Sequence, residues 1–202
     1  RTPLTIIKGF LETALGLKEV TTMSVEMRSY LQKSSQATDR MAKLINDFLN
    51  VSQLEVGKAI FNFKPVAFKK IIEEIRDELK PEIDKKGLYF KLDFSVEADS
   101  AVLHLDRELM KVALYNLVDN AVKYTPTGGI TVTAVVRTHP IEKTKIARMT
   151  VQDTGIGIVP EEIDKLFVSY FQRGEEAEKV YTTGRGIGLV LSKNIIKAHT
   201  GT

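Results

Sequence analysis

Cysteine is absent from the 202 residues and histidine is scarce, with only His104, His139 and His199 present. Without thiols there are no disulfides and no thiolate metal sites, and three imidazoles are too few to expect a structural zinc. No run of eighteen or more apolar residues occurs, and the N-terminus lacks the tripartite pattern of a secretory signal. The segment is therefore expected to be soluble and cytoplasmic, touching a membrane only through segments upstream. One-sided charge is lacking too: 29 Lys and Arg oppose 26 Asp and Glu, a net +3. That balance gives no argument for a nucleic-acid partner, and any basic patch is expected to be local. What is present is a 43% hydrophobic content, enough for one packed domain with an appendage. The chain opens on Arg1-Thr-Pro without an initiator methionine, so it reads as a piece of a longer polypeptide.

Apolar periodicity divides the chain. Leu4, Ile7, Leu11 and Leu15 recur at three and four residues and predict a helix beginning after Pro3. Met27, Tyr30, Ser34, Ala37, Met41, Leu44, Phe48 and Val51 form a heptad seam and predict a long second helix. The two should make an antiparallel hairpin through residues 19–24. Two helices cannot bury both of their apolar faces, so a second copy completing a four-helix bundle is the simplest solution; the alternative is a hairpin lying on its own downstream domain. The heptad stops near Gly57, and Ile60-Phe-Asn-Phe-Lys-Pro65 has the alternation and proline of a short strand or linker. The expected organisation is a hairpin at 1–57, a linker at 58–64 and a second domain at 65–202. In that domain, residues 68–80 have helical spacing and 88–96 alternate as a half-buried strand. Residues 101–105 form another strand, ended by Asp106 as a helix N-cap. Residues 130–136 and 146–152 complete an antiparallel pair. The fold class is α+β: a helical hairpin, then an α/β sandwich of a mixed sheet with helices on one face.

Three segments carry chemistry. Asn116 and Asn120 lie one helical turn apart, with Lys123 and Tyr124 a turn further on, which places two amides and an ammonium on one face. Asparagine amides offer neutral oxygens suited to magnesium, which takes the rest of its shell from water and substrate phosphates. Lys123 adds a point charge for phosphate, and Tyr124 a hydroxyl or a stacking ring. Against this stands a polar helix face that merely meets water. Asp153-Thr-Gly-Ile-Gly157 follows a predicted strand; Gly155 and Gly157 let the chain turn tightly against a flat ligand. A buried Asp153 carboxylate would accept a hydrogen bond from the exocyclic amine of adenine, although such a turn is also common as plain structure. Gly184-Arg-Gly-Ile-Gly188-Leu189 opens a helix, so backbone amides would face an anion. Between these segments, residues 167–183 are a polar stretch with Phe167, Tyr170 and Phe171 at its start, and read as a mobile lid over a nucleotide. Together the segments look like a site for ATP with Mg2+.

The order and separation of these boxes resemble the catalytic domain of sensor histidine kinases in the GHKL superfamily of ATPases. Residues 116–125 resemble the asparagine box, 153–157 the first glycine box, 167–171 the phenylalanine box and 184–189 the second glycine box. Arg1-Thr-Pro-Leu4 resembles the tail of the family's H-E-x-R-T-P signature on the first hairpin helix. The resemblance implies that Asn116 and Asn120 carry magnesium, that Lys123 and Tyr124 approach phosphates and nucleoside, and that Asp153 reads adenine. It also implies that Phe167, Phe171, Gly184, Gly186, Gly188 and Leu189 shape the lid and its hinge, with Arg173 and Arg185 as lid cations stabilising the transferring phosphoryl group. The implied activity is transfer of the γ-phosphoryl of ATP to a histidine on the hairpin of a homodimer, then to an aspartate of a response-regulator receiver domain. A phosphatase activity on that regulator is implied too, with Thr2, one helical turn after the phosphoacceptor position, orienting water. Two departures accompany the likeness. The phosphoacceptor histidine of the pattern lies three residues before Arg1, and relatives usually continue beyond Thr202 into further strands. Alternative readings are an ATP-driven clamp of the same superfamily, in which a glutamate general base stands at the position of Asn116, and a scaffold without catalysis.

Overall fold

Two helices, α1 (Thr2–Gly16) and α2 (Val25–Glu55), build the first of two units, which runs from Arg1 to Val56. The computed structural model describes residues 2–16, 24–55, 61–138, 144–163, 166 and 188–202. Ser24 caps α2 by accepting a hydrogen bond from the Met27 N–H at 3.2 Å. The helices pack on each other, and Lys8 reaches Asp39 at 2.8 Å. The shielded stripe of α2 is Leu31, Ser35, Thr38, Ala42 and Ile45. It lies one residue on from the heptad seam expected from the sequence, and so about 100° round the helix. Among the described residues the seam is open in a single chain: Met27 is 52% exposed, Tyr30 63% and Met41 53%. On α1, Phe10 is 73% exposed. The apolar periodicity of α2 thus records two faces, one used within the hairpin and one still uncovered.

The second unit, Gly57–Thr202, begins with β1 (Phe63–Ala67), which pairs antiparallel with β3 (Val102–Asp106). Phe63 and Lys64, expected in a linker, are therefore strand residues opposite Asp106 and Leu105. The helix α3 (Phe68–Lys86) runs through Pro81 rather than ending before it. Its buried stripe of Ile71, Ile72, Ile75, Leu79 and Ile83 continues past the proline, and Gly87, at φ +65°, closes the helix. After it come β2 (Tyr89–Phe94), the single-turn α4 (Val96–Asp99), and α5 (Arg107–Tyr124) following β3. Next are β4 (Gly129–Thr138), β5 (Lys145–Asp153), the short α6 (Pro160–Ile163) and α7 (Gly188–Ala198).

The sheet has the order β2-β4-β5, with β2 parallel to β4 and β4 antiparallel to β5. It is mixed, as expected. Alternation sends Phe90, Leu92 and Phe94 of β2 inward with Ile130, Val132, Ala134 and Val136 of β4 and Met149 and Val151 of β5. Against that face pack α3 and α5, the latter through Met110, Leu114, Val118, Ala121 and Val122. Across the helix pair, Arg107 reaches Glu74 and Lys111 reaches Glu78 at 2.6 Å. These partly exposed pairs fix orientation more than they add stability.

Candidate functional site

The carrier of the site is α5, and its ends are pinned before its side chains act. Asp106, buried at the N-cap, accepts from the Leu109 N–H at 3.1 Å through Oδ1 and from the Asn62 N–H at 2.8 Å through Oδ2. A buried carboxylate with two N–H donors is satisfied where it stands. The helix then runs under α7, which packs antiparallel to it. Three polar contacts mark the register. Asn116 Nδ2 donates to Gly188 O at 3.4 Å, Ser192 Oγ lies 2.9 Å from Ala113 O, and the Asp106 N–H donates to His199 Nε2 at 3.0 Å.

Asn116 is thus buried and committed through its nitrogen, which leaves Oδ1 as the free acceptor of the amide. The first residue of α7 comes so close that a Cβ on Gly188 would stand 3.3 Å from the Asn116 side chain. Asn120, one turn on, is half-buried. Lys123 is ion-paired with Asp119 on the preceding turn, at i,i+4 spacing. Beside Asn116, burial pushes the Tyr115 phenol up to about 12, with the Asp119 and Glu78 carboxylates adding to the shift. Tyr115 is therefore a neutral hydroxyl throughout the physiological range.

At the C-terminal end of β5, Asp153 accepts from the Gly155 N–H at 2.8 Å, and the turn docks on the end of α5 through Ile156 N–H to Tyr124 O at 3.1 Å. A Cβ on Gly155 would lie 2.3 Å from Tyr124 O and 2.7 Å from Asp153 Oδ1. Only glycine allows this approach. Gly157 follows at φ +73°. Thr154 holds the turn from the other side: the Gly129 N–H donates to its hydroxyl at 3.0 Å, and the hydroxyl stands 3.1 Å from Thr127 O. Asp153 itself is exposed. The buried carboxylate expected from the sequence is instead an open one, with one oxygen held by its own turn. Strand β5 ends where the pleat runs out, which leaves its last side chain at the rim.

The structure therefore brings Asn116 to Gly188 and the Asp153 turn to Tyr124. Leu189 is half-buried in the first turn of α7. Phe167, Phe171, Arg173, Gly184, Arg185 and Gly186 lie outside the described residues, as does the stretch expected to be a lid; Thr2 is the first residue of α1, in the other unit. Sequence reasoning missed Ser192, Thr154 and His199. The first two carry no spacing signal, because their partners are backbone carbonyls or amides 79 and 25 residues away.

A mixed sheet backed by helices, with Asn116 of an asparagine pair meeting a glycine-led helix on one side and an Asp-Thr-Gly turn on the other, defines a nucleotide-site class. Comparison with known proteins agrees. Residues 105–202 match the family model of the histidine kinase-, DNA gyrase B- and HSP90-like ATPases, and residues 1–57 match the His Kinase A (phospho-acceptor) domain. The chain is 33% identical over 199 residues to the phosphate regulon sensor protein PhoR of Pseudomonas aeruginosa, covering 98% of the chain and 42% of PhoR. It is 31% identical over 202 residues to the non-motile and phage-resistance protein of Caulobacter vibrioides, covering all of the chain and 23% of that protein. The chain thus spans less than half the length of either relative. Among solved structures, full-length ShkA in complex with AMPPNP superposes with a TM-score of 0.75 at 27% identity, over all of the chain and 39% of ShkA. The chain belongs to the sensor histidine kinases.

Proposed function

We propose that this chain is the kinase portion of a two-component sensor. It binds ATP with magnesium, transfers the γ-phosphoryl group to a histidine on the hairpin helix of a homodimer, and from there supplies the aspartate of a response regulator. The observation that carries the reading is the meeting of Asn116 with Gly188 at one side of α5 and of Asp153-Thr-Gly155 with Tyr124 at its end. ShkA, whose structure holds AMPPNP, supports it.

The residues present fit the nucleotide and its cation. Among the described residues no three His, Asp or Glu gather as a metal cage, so a cation here depends on amide oxygens and on phosphates, as magnesium does. Asn120 and the free Oδ1 of Asn116 are the oxygens in place. When bound, magnesium neutralises charge on the phosphates at the moment of transfer. Lys123 exchanges its Asp119 partner for phosphate, Tyr124 flanks the nucleoside, and the second oxygen of Asp153 accepts from the adenine amine. Arg173 and Arg185 supply lid charge, and Thr2 serves regulator dephosphorylation.

The clamp reading, in which the nucleotide is hydrolysed, needs a general base at position 116. An amide takes no proton from water at neutral pH, and here its nitrogen donates to Gly188 O, which a carboxylate could not do. His199 does not substitute as phosphoacceptor. Nε2 accepts from Asp106 while Nδ1 faces Ile195 O at 2.8 Å, so neither nitrogen is free to attack.

The test is Asn120→Ala. It should weaken magnesium-dependent ATP binding while the thermal transition stays cooperative, because the half-buried amide serves the ligand. Normal binding of Mg-ATP by a folded Asn120→Ala protein would remove Asn120 from the site.

A further inference from the structure

From the contacts at the end of α5 we infer that Lys86, on a different helix, is a positioning residue of the nucleotide site. This inference rests on the ATP-binding reading above. The last carbonyls of a helix have no intrahelical donors and carry the negative end of its dipole. At the C-terminal end of α5, its cap residue Thr125 included, each has a partner. Thr125 Oγ1 donates to Ala121 O at 2.7 Å, and the Ile156 N–H donates to Tyr124 O at 3.1 Å. The three that remain converge on one ammonium. Lys86 Nζ stands 2.7 Å from Val122 O, 2.8 Å from Lys123 O and 3.4 Å from Thr125 O.

An ammonium has three protons and no acceptor, so it can serve several carbonyls at once. Its charge adds to the hydrogen bonds because the carbonyls lie at the negative pole. Lys86 is delivered there by packing: it sits in the last turn of α3, three residues after buried Ile83, immediately before the Gly87 cap. The α5 residues whose carbonyls it holds are those whose side chains serve the nucleotide or adjoin them. The same helix end seats the Asp153 turn, since Gly155 approaches Tyr124 O too closely for any Cβ. Lys86 therefore fixes two parts of the site at once: the end of α5 that carries Lys123 for phosphate and Tyr124 for the nucleoside, and the turn that carries Asp153 for the base. It does so from behind the helix, through backbone oxygens.

Removing the charge lets water take over the carbonyls, so the fold survives while the last turn of α5 frays and the Asp153 turn loosens with it. The experiment compares Lys86→Met, Lys86→Gln and Lys86→Arg by calorimetry with Mg-AMPPNP, together with amide exchange in the nucleotide-free protein. Lys86→Met should lose about tenfold in affinity, Lys86→Gln should fall between it and the parent, and Lys86→Arg should restore most of the loss. Exchange should quicken at Ile156 and stay unchanged at Leu109, at the other end of α5. Should Lys86→Met not fold, Lys86→Gln carries the comparison alone. Parent-like affinity and unchanged Ile156 exchange in Lys86→Met, or in Lys86→Gln where Met does not fold, would overturn the role of Lys86 and leave the nucleotide site standing. An equal loss in Lys86→Arg and Lys86→Met would also overturn it. Absence of AMPPNP binding by the parent protein overturns the ATP reading itself and this inference with it.

Discussion

Gly155 shows how little freedom the site allows a single residue. A methyl group there must displace both the Tyr124 carbonyl and the Asp153 carboxylate, at 2.3 and 2.7 Å; the first is backbone, and the second is held by the Gly155 N–H. We expect Gly155→Ala to cost roughly 1–3 kcal/mol, as overpacking does, and to reduce ATP affinity more than it lowers the melting temperature. Stability and affinity falling in the same proportion would place the effect in the fold at large. The Asp153-x-Gly155 spacing was readable in the sequence because close backbone approach needs glycine. The exposure of Asp153 was not, since it depends on where β5 stops relative to the turn at residues 127–129. Lys86 was unreadable for a related reason. Its partners are carbonyls, which every residue has, so no side-chain pattern marks them.

At the scale of elements, the register of α7 against α5 decides whether Gly188 meets Asn116. Ser192 sits at the middle of that pair, buried, with its hydroxyl 2.9 Å from Ala113 O and 2.8 Å from Gly188 O. Its one proton is shared between the two helices. Ser192→Ala should cost about 1 kcal/mol, whereas Ser192→Leu must part the helices, cost about 1–3 kcal/mol and weaken nucleotide binding through Gly188. Urea unfolding and calorimetry on both variants check this; equal nucleotide affinity in the Leu variant would show that α7 does not set the site. The elements themselves were largely legible, for alternation marked β2, helical spacing marked α3, and Asp106 as an N-cap marked the start of α5. Two boundaries were not. A proline normally argues for a helix end, yet α3 passes Pro81 because its apolar face goes on to Ile83. β1 starts at Phe63, inside the expected linker, because Asp106 and Leu105 offer it a partner strand; the alternation of residues 60–65 fitted a strand and a linker alike, and only the distant partner decides between them.

For the molecule as a whole, the two units obey different logics. The second closes its core within itself. The first leaves Phe10, Met27, Tyr30 and Met41 open to solvent, apolar surface that a second hairpin would cover as the phospho-acceptor match of residues 1–57 supports. We expect a dimer in sedimentation velocity. Phe10→Glu with Tyr30→Glu should give a monomer whose second unit still binds nucleotide. A dimer persisting in that variant would move the interface elsewhere. The sequence foretold the hairpin but read only the open stripe of α2, because which residues of that helix face α1 is decided by the neighbouring helix.

Titration calorimetry of the chain with Mg-ATP and Mg-GTP decides whether the end of α5 and the Asp153 turn form an adenine-nucleotide site. The adenine amine can donate to Asp153, whereas guanine presents a carbonyl oxygen there. ATP should bind, and GTP should be weaker by roughly 1.5–3 kcal/mol, about 13- to 160-fold. Equal affinity for the two nucleotides, or no binding of ATP, would contradict that assignment.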